Sequence, residues 1–334
     1  MIHHPVRTTP LLAGTLQNLF YPPERSTYEY FARANGVPFS SGTALVRMAW
    51  AADAAMLAYA RFGVERMTQQ ELSGCLNAVG FSTHTCIGNW DAKGTQGYFA
   101  ANEEFAFLAF RGTEFDDPQD VQSDLDLFLS YEPDYHRAQA DPKPTQAHLS
   151  FVELLSTKDV CLVHRGFQRA LAVVWREAHS SVVEYRRQHP NAEIVFTGHS
   201  LGAALAVLAF SRLGDANSSL ITFGCPRVGN AAFRERMLSI PSKMLLRVVN
   251  LQDPVTHVPP ELGYCHAPES AYVFDGDGNL EEKIPVFSGN PTAILRALQA
   301  LPASLAGALS TTAAPPFVVD HSPARYCIRL WNLV

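Results

Sequence analysis

Charge is scarce in this chain. Only 17% of its 334 residues are Asp, Glu, Lys or Arg, and the formal net charge is −6. No basic run occurs anywhere, which argues against nucleic acid as a partner. No uninterrupted apolar run reaches the ~18 residues that a membrane-spanning helix needs. Residues 1–20 lack a compact basic-then-apolar pattern, because Gly14, Gln17 and Asn18 interrupt Leu11, Leu12, Leu16, Leu19 and Phe20. No secretory signal is read there, so the expectation is a cytoplasmic protein or one exported by a non-classical route.

Metal-binding patterns are also missing. None of Cys75, Cys86, Cys161, Cys225, Cys265 and Cys327 forms a Cys-x-x-Cys pair. Buried free thiols are the favoured reading, ahead of a Cys75–Cys86 bridge. His3-His4 is too short a run to hold a metal. Asp275-Gly276-Asp277-Gly278 resembles the start of a calcium loop, but Leu280 stands where such a loop needs glycine, so a hairpin turn is expected. Neither a metal nor a cofactor is expected. There is no internal repeat and no good domain boundary, and one α/β domain over residues 1–334 is the reading.

Apolar residues are plentiful, at 47%, enough for a large core. Residues 1–42 read as an arm laid over the domain. Leu45, Met48, Ala49, Ala52, Met56 and Tyr59 follow helical spacing, with Gly63 as the expected stop. Thr68-Gln69-Gln70-Glu71 has the form of a capping box. Phe105 to Phe110 is a continuous apolar strand, as in a sheet buried on both faces. It runs into Arg111-Gly112-Thr113. Residues 114–144 are acidic and proline-containing, with an amphipathic piece around Val121, Leu125 and Phe128. Asp159–His164 reads as a buried strand, followed by a helix to about Arg187. Leu220–Phe223 and Leu245–Asn250 are further strands. Ile294, Leu295, Leu298, Leu301 and Leu305 read as an amphipathic helix, and Tyr326–Trp331 as the last strand. Strands alternating with helices predict a mostly parallel central sheet with helices on both faces.

The chain is organised around Ile194-Val195-Phe196-Thr197-Gly198-His199-Ser200-Leu201-Gly202-Ala203-Ala204-Leu205-Ala206. A β-branched run, a Gly-His-Ser-Leu-Gly turn and an Ala/Leu helix make the context of a nucleophile elbow. Gly198 and Gly202 keep the strained turn tight, and the helix N-terminus favours negative charge beside Ser200. A serine hydroxyl needs a base, and the base needs an orienting acid. In this arrangement both follow the serine in sequence. Asp253 is the favoured acid, three residues past a strand and fixed by Pro254, with Asp275 and Asp277 weaker. Five histidines compete as the base. His164 precedes the serine, His199 points the wrong way, and His257 sits in the acid's own loop. His266 is the runner-up, and His321 is favoured. An oxyanion needs two fixed donors, and the Leu201 N–H and Thr113 are placed for that.

Several segments together resemble the class 3 lipase family, α/β-hydrolases typified by secreted fungal lipases. They are Phe110–Thr113, Val163–Phe167, Gly198–Ala206, Phe223–Asn230, Asn250–Val255 and Asp320–Ser322, in the family's order. The resemblance implies Ser200 as nucleophile, Asp253 as acid, His321 as base, and an oxyanion hole from Thr113 and Leu201. It implies a lid just after Thr113 and hydrolysis of acylglycerol or phospholipid esters without a cofactor, at a lipid–water interface. The chain departs from the family near that lid, with Val121 rather than Trp before Asp124-Leu125. Residues 284–317 read as a helical insertion before His321. The alternatives are a phospholipase A1 or short-chain or aryl esterase on the same residues, and a lipase-like binding protein without turnover.

Overall fold

The structure, a computed structural model, describes residues 30–31, 37–40, 42–62, 65–90, 94–112, 129–132, 160–261, 263–286, 289 and 319–334. Most of the expected arm over 1–42 and the 114–144 loop lie outside those residues. So do Thr113, the piece around Val121, Leu125 and Phe128, and nearly all of 284–317, including the helix expected from Ile294.

Helix α1 (Ala44–Leu57) starts where the Thr43 hydroxyl accepts the Val46 N–H, a cap typically worth about 1 kcal/mol. It ends before the expected Gly63. Ala58 closes it, Ala60 takes a φ of 49°, and the Ala60 carbonyl accepts the Met67 N–H at 2.7 Å. Strands β1 (Arg61–Phe62) and β2 (Glu65–Arg66) then pair antiparallel. In α2 (Gln69–Ala78) the capping box is complete, with Thr68 and Glu71 satisfying each other's backbone N–H groups.

Next come β3 (Thr83–Ile87), β4 (Gly97–Ala101), β5 (Phe105–Phe110), β6 (Leu129–Tyr131) and β7 (Leu162–His164). They are followed by α3 (Arg165–Gln188), β8 (Glu193–His199), α4 (Leu201–Leu213), β9 (Ser218–Phe223), α5 (Ala231–Ser239), β10 (Met244–Asn250), β11 (Ala271–Phe274), β12 (Leu280–Lys283) and α6 (Pro323–Leu333). The central sheet has eight strands in the order β12-β11-β10-β9-β8-β5-β4-β3. Strands β5, β8, β9, β10 and β11 run parallel, and β12, β4 and β3 are antiparallel to their neighbours. β7 is not part of this sheet. It pairs antiparallel with β6 in a separate two-stranded ribbon.

The uninterrupted apolar run of β5 follows from helices on both faces of the sheet. Phe105, Phe107 and Ala109 enter the core shared with α1 and α6, while Ala106, Leu108 and Phe110 enter the one shared with α3 and α4. The period of two sends neighbours to opposite faces, and both faces are dry. β8 divides likewise, with Val195 on the first side and Ile194 and Phe196 on the second. The register pairs Phe110 with Gly198, and His199 with Phe223. The carboxyl ends of β5, β8 and β9 therefore form one edge, where open α/β sheets place their sites.

The last element corrects the sequence reading. Tyr326–Trp331 is helical, within α6, rather than a strand. Ser322 accepts the Arg325 N–H as N-cap, and Pro323 occupies the first turn. Ala324, Cys327, Leu330 and Trp331 recur at helical spacing and are buried, packing α6 against α1. The indole N–H of Trp331 donates to Asp53 Oδ2 at 2.8 Å. None of the six cysteines is in a disulfide, and only Cys225 and Cys327 are buried.

Candidate active site

β8 delivers the chain to Ser200 with no room to spare. Ser200 has φ 59° and ψ −126°, a conformation strained for any side chain and common at functional turns. Its N–H donates to the Phe223 carbonyl at 3.0 Å, and its own carbonyl accepts the Ala203 N–H at 3.0 Å. A Cβ on Gly198 would sit 2.7 Å from the Ala203 nitrogen, and one on Gly202 would sit 2.8 Å from the Arg111 carbonyl carbon. Both glycines are required because the β8–α4 turn presses against itself and against the end of β5.

Ser200 Oγ lies 2.9 Å from His321 Nε2. His321 Nδ1 lies 3.0 Å from Asp253 Oδ1 and 2.9 Å from Oδ2. The carboxylate can only accept, so Nδ1 carries the proton and Nε2 is left to accept the serine O–H. Asp253 is wholly buried and Ser200 is 8% exposed. The structure thus brings together the three residues expected as nucleophile, base and acid. Leu201 opens α4, and the first-turn N–H groups of a helix have no acceptor inside it. Thr113 lies just beyond the described residues. The neighbouring Gly112 is described, and a Cβ on it would meet the Tyr59 hydroxyl and lie 2.6 Å from the His199 carbonyl oxygen.

The other sequence candidates are engaged elsewhere. His266 Nε2 donates to the Thr256 carbonyl at 2.6 Å. His164 caps α3, its Nδ1 accepting the Phe167 N–H at 3.3 Å. Asp275 accepts the N–H groups of Asp277 and Asn279 within its hairpin turn, each at 2.9 Å. No group of three His, Cys, Asp or Glu that could hold a metal occurs among the described residues, nor does a helix long and apolar enough to cross a membrane.

Residues 107–263 match the model of the family described as Lipase (class 3). Over this stretch the chain is similar to that family. The lipase of Rhizomucor miehei is 37% identical over 123 residues, covering 34% of this chain and 33% of the relative. A secreted mono- and diacylglycerol lipase of Penicillium cyclopium is 33% identical over 144 residues, covering 40% of this chain and 47% of the relative. The chain therefore spans about a third to a half of the length of these relatives. Lipase II of Rhizopus niveus superposes with a TM-score of 0.51 at 25% identity, covering 75% of this chain and 89% of that one. The fold is the α/β-hydrolase fold. The matched stretch contains Ser200 and Asp253, while His321 lies beyond it.

Sequence reasoning missed two supports of this site. Gly224 has φ +56°, and a Cβ there would lie 2.7 Å from Asp253 Oδ2 and 3.0 Å from His321 Nδ1. The acid and base can meet only because this position lacks a side chain. Tyr326, in α6, donates its O–H to Asp253 Oδ2 at 2.7 Å and accepts the Asn250 N–H at 2.9 Å. Burial, reinforced by the Asp253 charge, holds the Tyr326 phenol well above its ordinary range, so it stays a donor. Asp253 Oδ1 accepts the Val255 N–H at 2.9 Å. Tyr326→Phe deletes a hydrogen bond to a buried charge and strands the Asn250 N–H. The expected cost is about 1.5–3 kcal/mol of stability, read as a lower urea midpoint at unchanged slope.

Acid sensitivity is built in beside the site. Burial, followed by the Arg227 cation, pushes His257 from 6.5 down to about 4. His199 and His266 are also held well below 6.5, chiefly by burial. A buried neutral histidine binds fewer protons when folded than when unfolded. Its contribution is complete above pH ~6.5 and is lost as pH falls toward the folded value. For His257 the loss reaches on the order of 3 kcal/mol by pH ~4. Urea midpoints measured from pH 7 to 4 should fall steadily, and His257→Gln should flatten the fall.

Proposed function

We propose that this protein is a serine ester hydrolase acting on lipid esters, of the triacylglycerol lipase kind. The observation that carries the reading is the hydrogen-bonded line from Ser200 Oγ through His321 to Asp253, with Ser200 on a strained turn at the head of α4. In this reading, His321 Nε2 takes the Ser200 proton as Oγ attacks the ester carbonyl. The Leu201 N–H and Thr113 hold the oxyanion, and the dipole of α4 adds to their field. The imidazolium then protonates the departing alcohol, leaving an acyl group on Ser200. Water, deprotonated by His321, releases the acid by the reverse route. Asp253, held by three donors, keeps the proton of His321 on Nδ1.

The names of the relatives favour acylglycerol as substrate. A lipid–water interface is the working site that such a substrate implies. The Penicillium relative, named as secreted, favours export over a cytoplasmic location. The test is fatty-acid release at constant pH from an emulsified triacylglycerol, a diacylphospholipid dispersion and a water-soluble p-nitrophenyl ester. Fastest release from the acylglycerol emulsion is expected. Turnover of the soluble ester alone would replace the lipase reading by an esterase, and fastest release from the dispersion would replace it by a phospholipase A1. No turnover of any of the three would remove the hydrolase reading.

A further inference from the structure

His199 precedes the nucleophile and takes no part in the proton path. It is 1% exposed, an unusual place for an imidazole with no charge partner. Its surroundings come from separate parts of the chain. Tyr59 stands just past the end of α1, His321 just before α6, and Tyr326 in α6. The ring centroid of His199 is 4.4 Å from that of His321 and 5.8 Å from that of Tyr326.

Its two nitrogens have fixed roles. Nε2 lies 2.8 Å from the main-chain carbonyl of His321. A carbonyl cannot donate, so Nε2 must carry the proton. Nδ1 is then bare, and it lies 2.8 Å from the Tyr59 hydroxyl, which donates to it. One tautomer satisfies both bonds without a charge. Burial and the neighbouring His321 together disfavour the imidazolium.

The geometry has a further consequence. The side chain of residue 199 holds the backbone of the residue whose own side chain must reach residue 200. Two separate bonds therefore join the loop before α6 to the elbow. One is the reactive contact from His321 Nε2 to Ser200 Oγ at 2.9 Å, and the other is the His199 brace on the His321 carbonyl. The brace is a planar ring on a buried strand end, with little freedom to drift. Asn250 adds a third tie one residue earlier, its Nδ2 donating to the Asp320 carbonyl at 2.9 Å.

We propose that His199, oriented by Tyr59, is a positioning residue for the base, fixing the main chain of His321 so that its ring stays in line with Ser200. The inference rests on the reading of Ser200, Asp253 and His321 as the catalytic line. Reacting groups displaced by about 1 Å lose roughly a hundredfold in rate, so loss of the brace should appear in kcat rather than in KM.

The experiment compares wild type with His199→Phe, His199→Gln and Tyr59→Phe. Rates on a soluble p-nitrophenyl ester are expressed per site labelled by a fluorophosphonate, so unfolded molecules do not count. His199→Phe keeps a ring and removes the donor. Its kcat should fall about 10- to 100-fold with KM within about twofold, and its rate constant for labelling should fall by the same factor. His199→Gln restores an N–H near the position of Nε2 and should recover most of that loss. Tyr59→Phe should cost about three- to tenfold. Wild-type kcat per labelled site in His199→Phe would overturn the proposal, as would a Gln variant no better than Phe. If His199→Phe does not fold, Tyr59→Phe decides, since an unchanged kcat per labelled site there would overturn it too. A wild type that takes no label defeats the catalytic reading itself. A labelled wild type matched by an equally fast variant defeats only the role of His199.

Discussion

Ser200→Ala is expected to lower kcat for a p-nitrophenyl acyl ester by about a millionfold, leaving only what binding and the oxyanion donors supply. The size follows from the chemistry. Without Oγ there is no covalent intermediate, and His321 has no proton to take. Water does not stand in efficiently, because the imidazole is aligned on Oγ at 2.9 Å within a site that is only 8% exposed at the serine. Stability should change little. Alanine inherits the same strained φ of 59°, and the hydroxyl makes no capping bond to α4. A thermal melt within a few degrees of wild type, alongside the lost activity, separates lost chemistry from lost fold. A melt that collapses would mean the hydroxyl is structural.

Asp253→Asn should cost about ten thousandfold in kcat. The amide is nearly isosteric with the carboxylate, so the effect is electronic and tautomeric. Asp253 accepts from His321 Nδ1, Tyr326 and Val255. An asparagine has one oxygen for these three donors. The Val255 N–H and the Tyr326 O–H compete for it, and the NH2 group is turned toward the imidazole. Nδ1 then becomes an acceptor, the ring proton moves to Nε2, and Nε2 donates to Ser200 instead of receiving from it. The measurement is kcat and KM by initial rates over a range of ester concentration. The drop should lie in kcat, because the carboxylate is fully buried and touches no substrate.

Local signals in the sequence were legible. The capping box at Thr68–Glu71 is a short-range feature, and it forms where the sequence places it. The run from Phe105 to Phe110 betrayed a sheet covered on both sides, since nothing else buries six consecutive apolar residues in a strand. The Gly-His-Ser-Leu-Gly turn announced an elbow because close backbone packing leaves no alternative to glycine at 198 and 202.

Long-range tertiary choices were not legible. Tyr326, Ile328 and Trp331 suit a strand locally. Packing on α1, the cap at Ser322 and the bond from Trp331 to Asp53, 278 residues away in sequence, favour the helix. Tyr326 meets Asp253 over 73 residues, and Tyr59 meets His199 over 140. No spacing rule links such pairs. From the sequence, His199 points away from the serine's side of the turn. Its actual partners, a hydroxyl and a main-chain carbonyl, leave no pattern in the sequence. β7 joined a ribbon with β6 rather than the main sheet for the same reason. An apolar strand does not encode which partner it will take.

The central claim is that Ser200 is the nucleophile of this site. The most direct measurement is to treat the folded protein with a fluorophosphonate, digest it and locate the adduct by mass spectrometry while following esterase activity. The account predicts one adduct, on the peptide carrying Ser200, formed in step with loss of activity and absent from Ser200→Ala. An adduct on another residue, or full activity after Ser200 is completely modified, would contradict it.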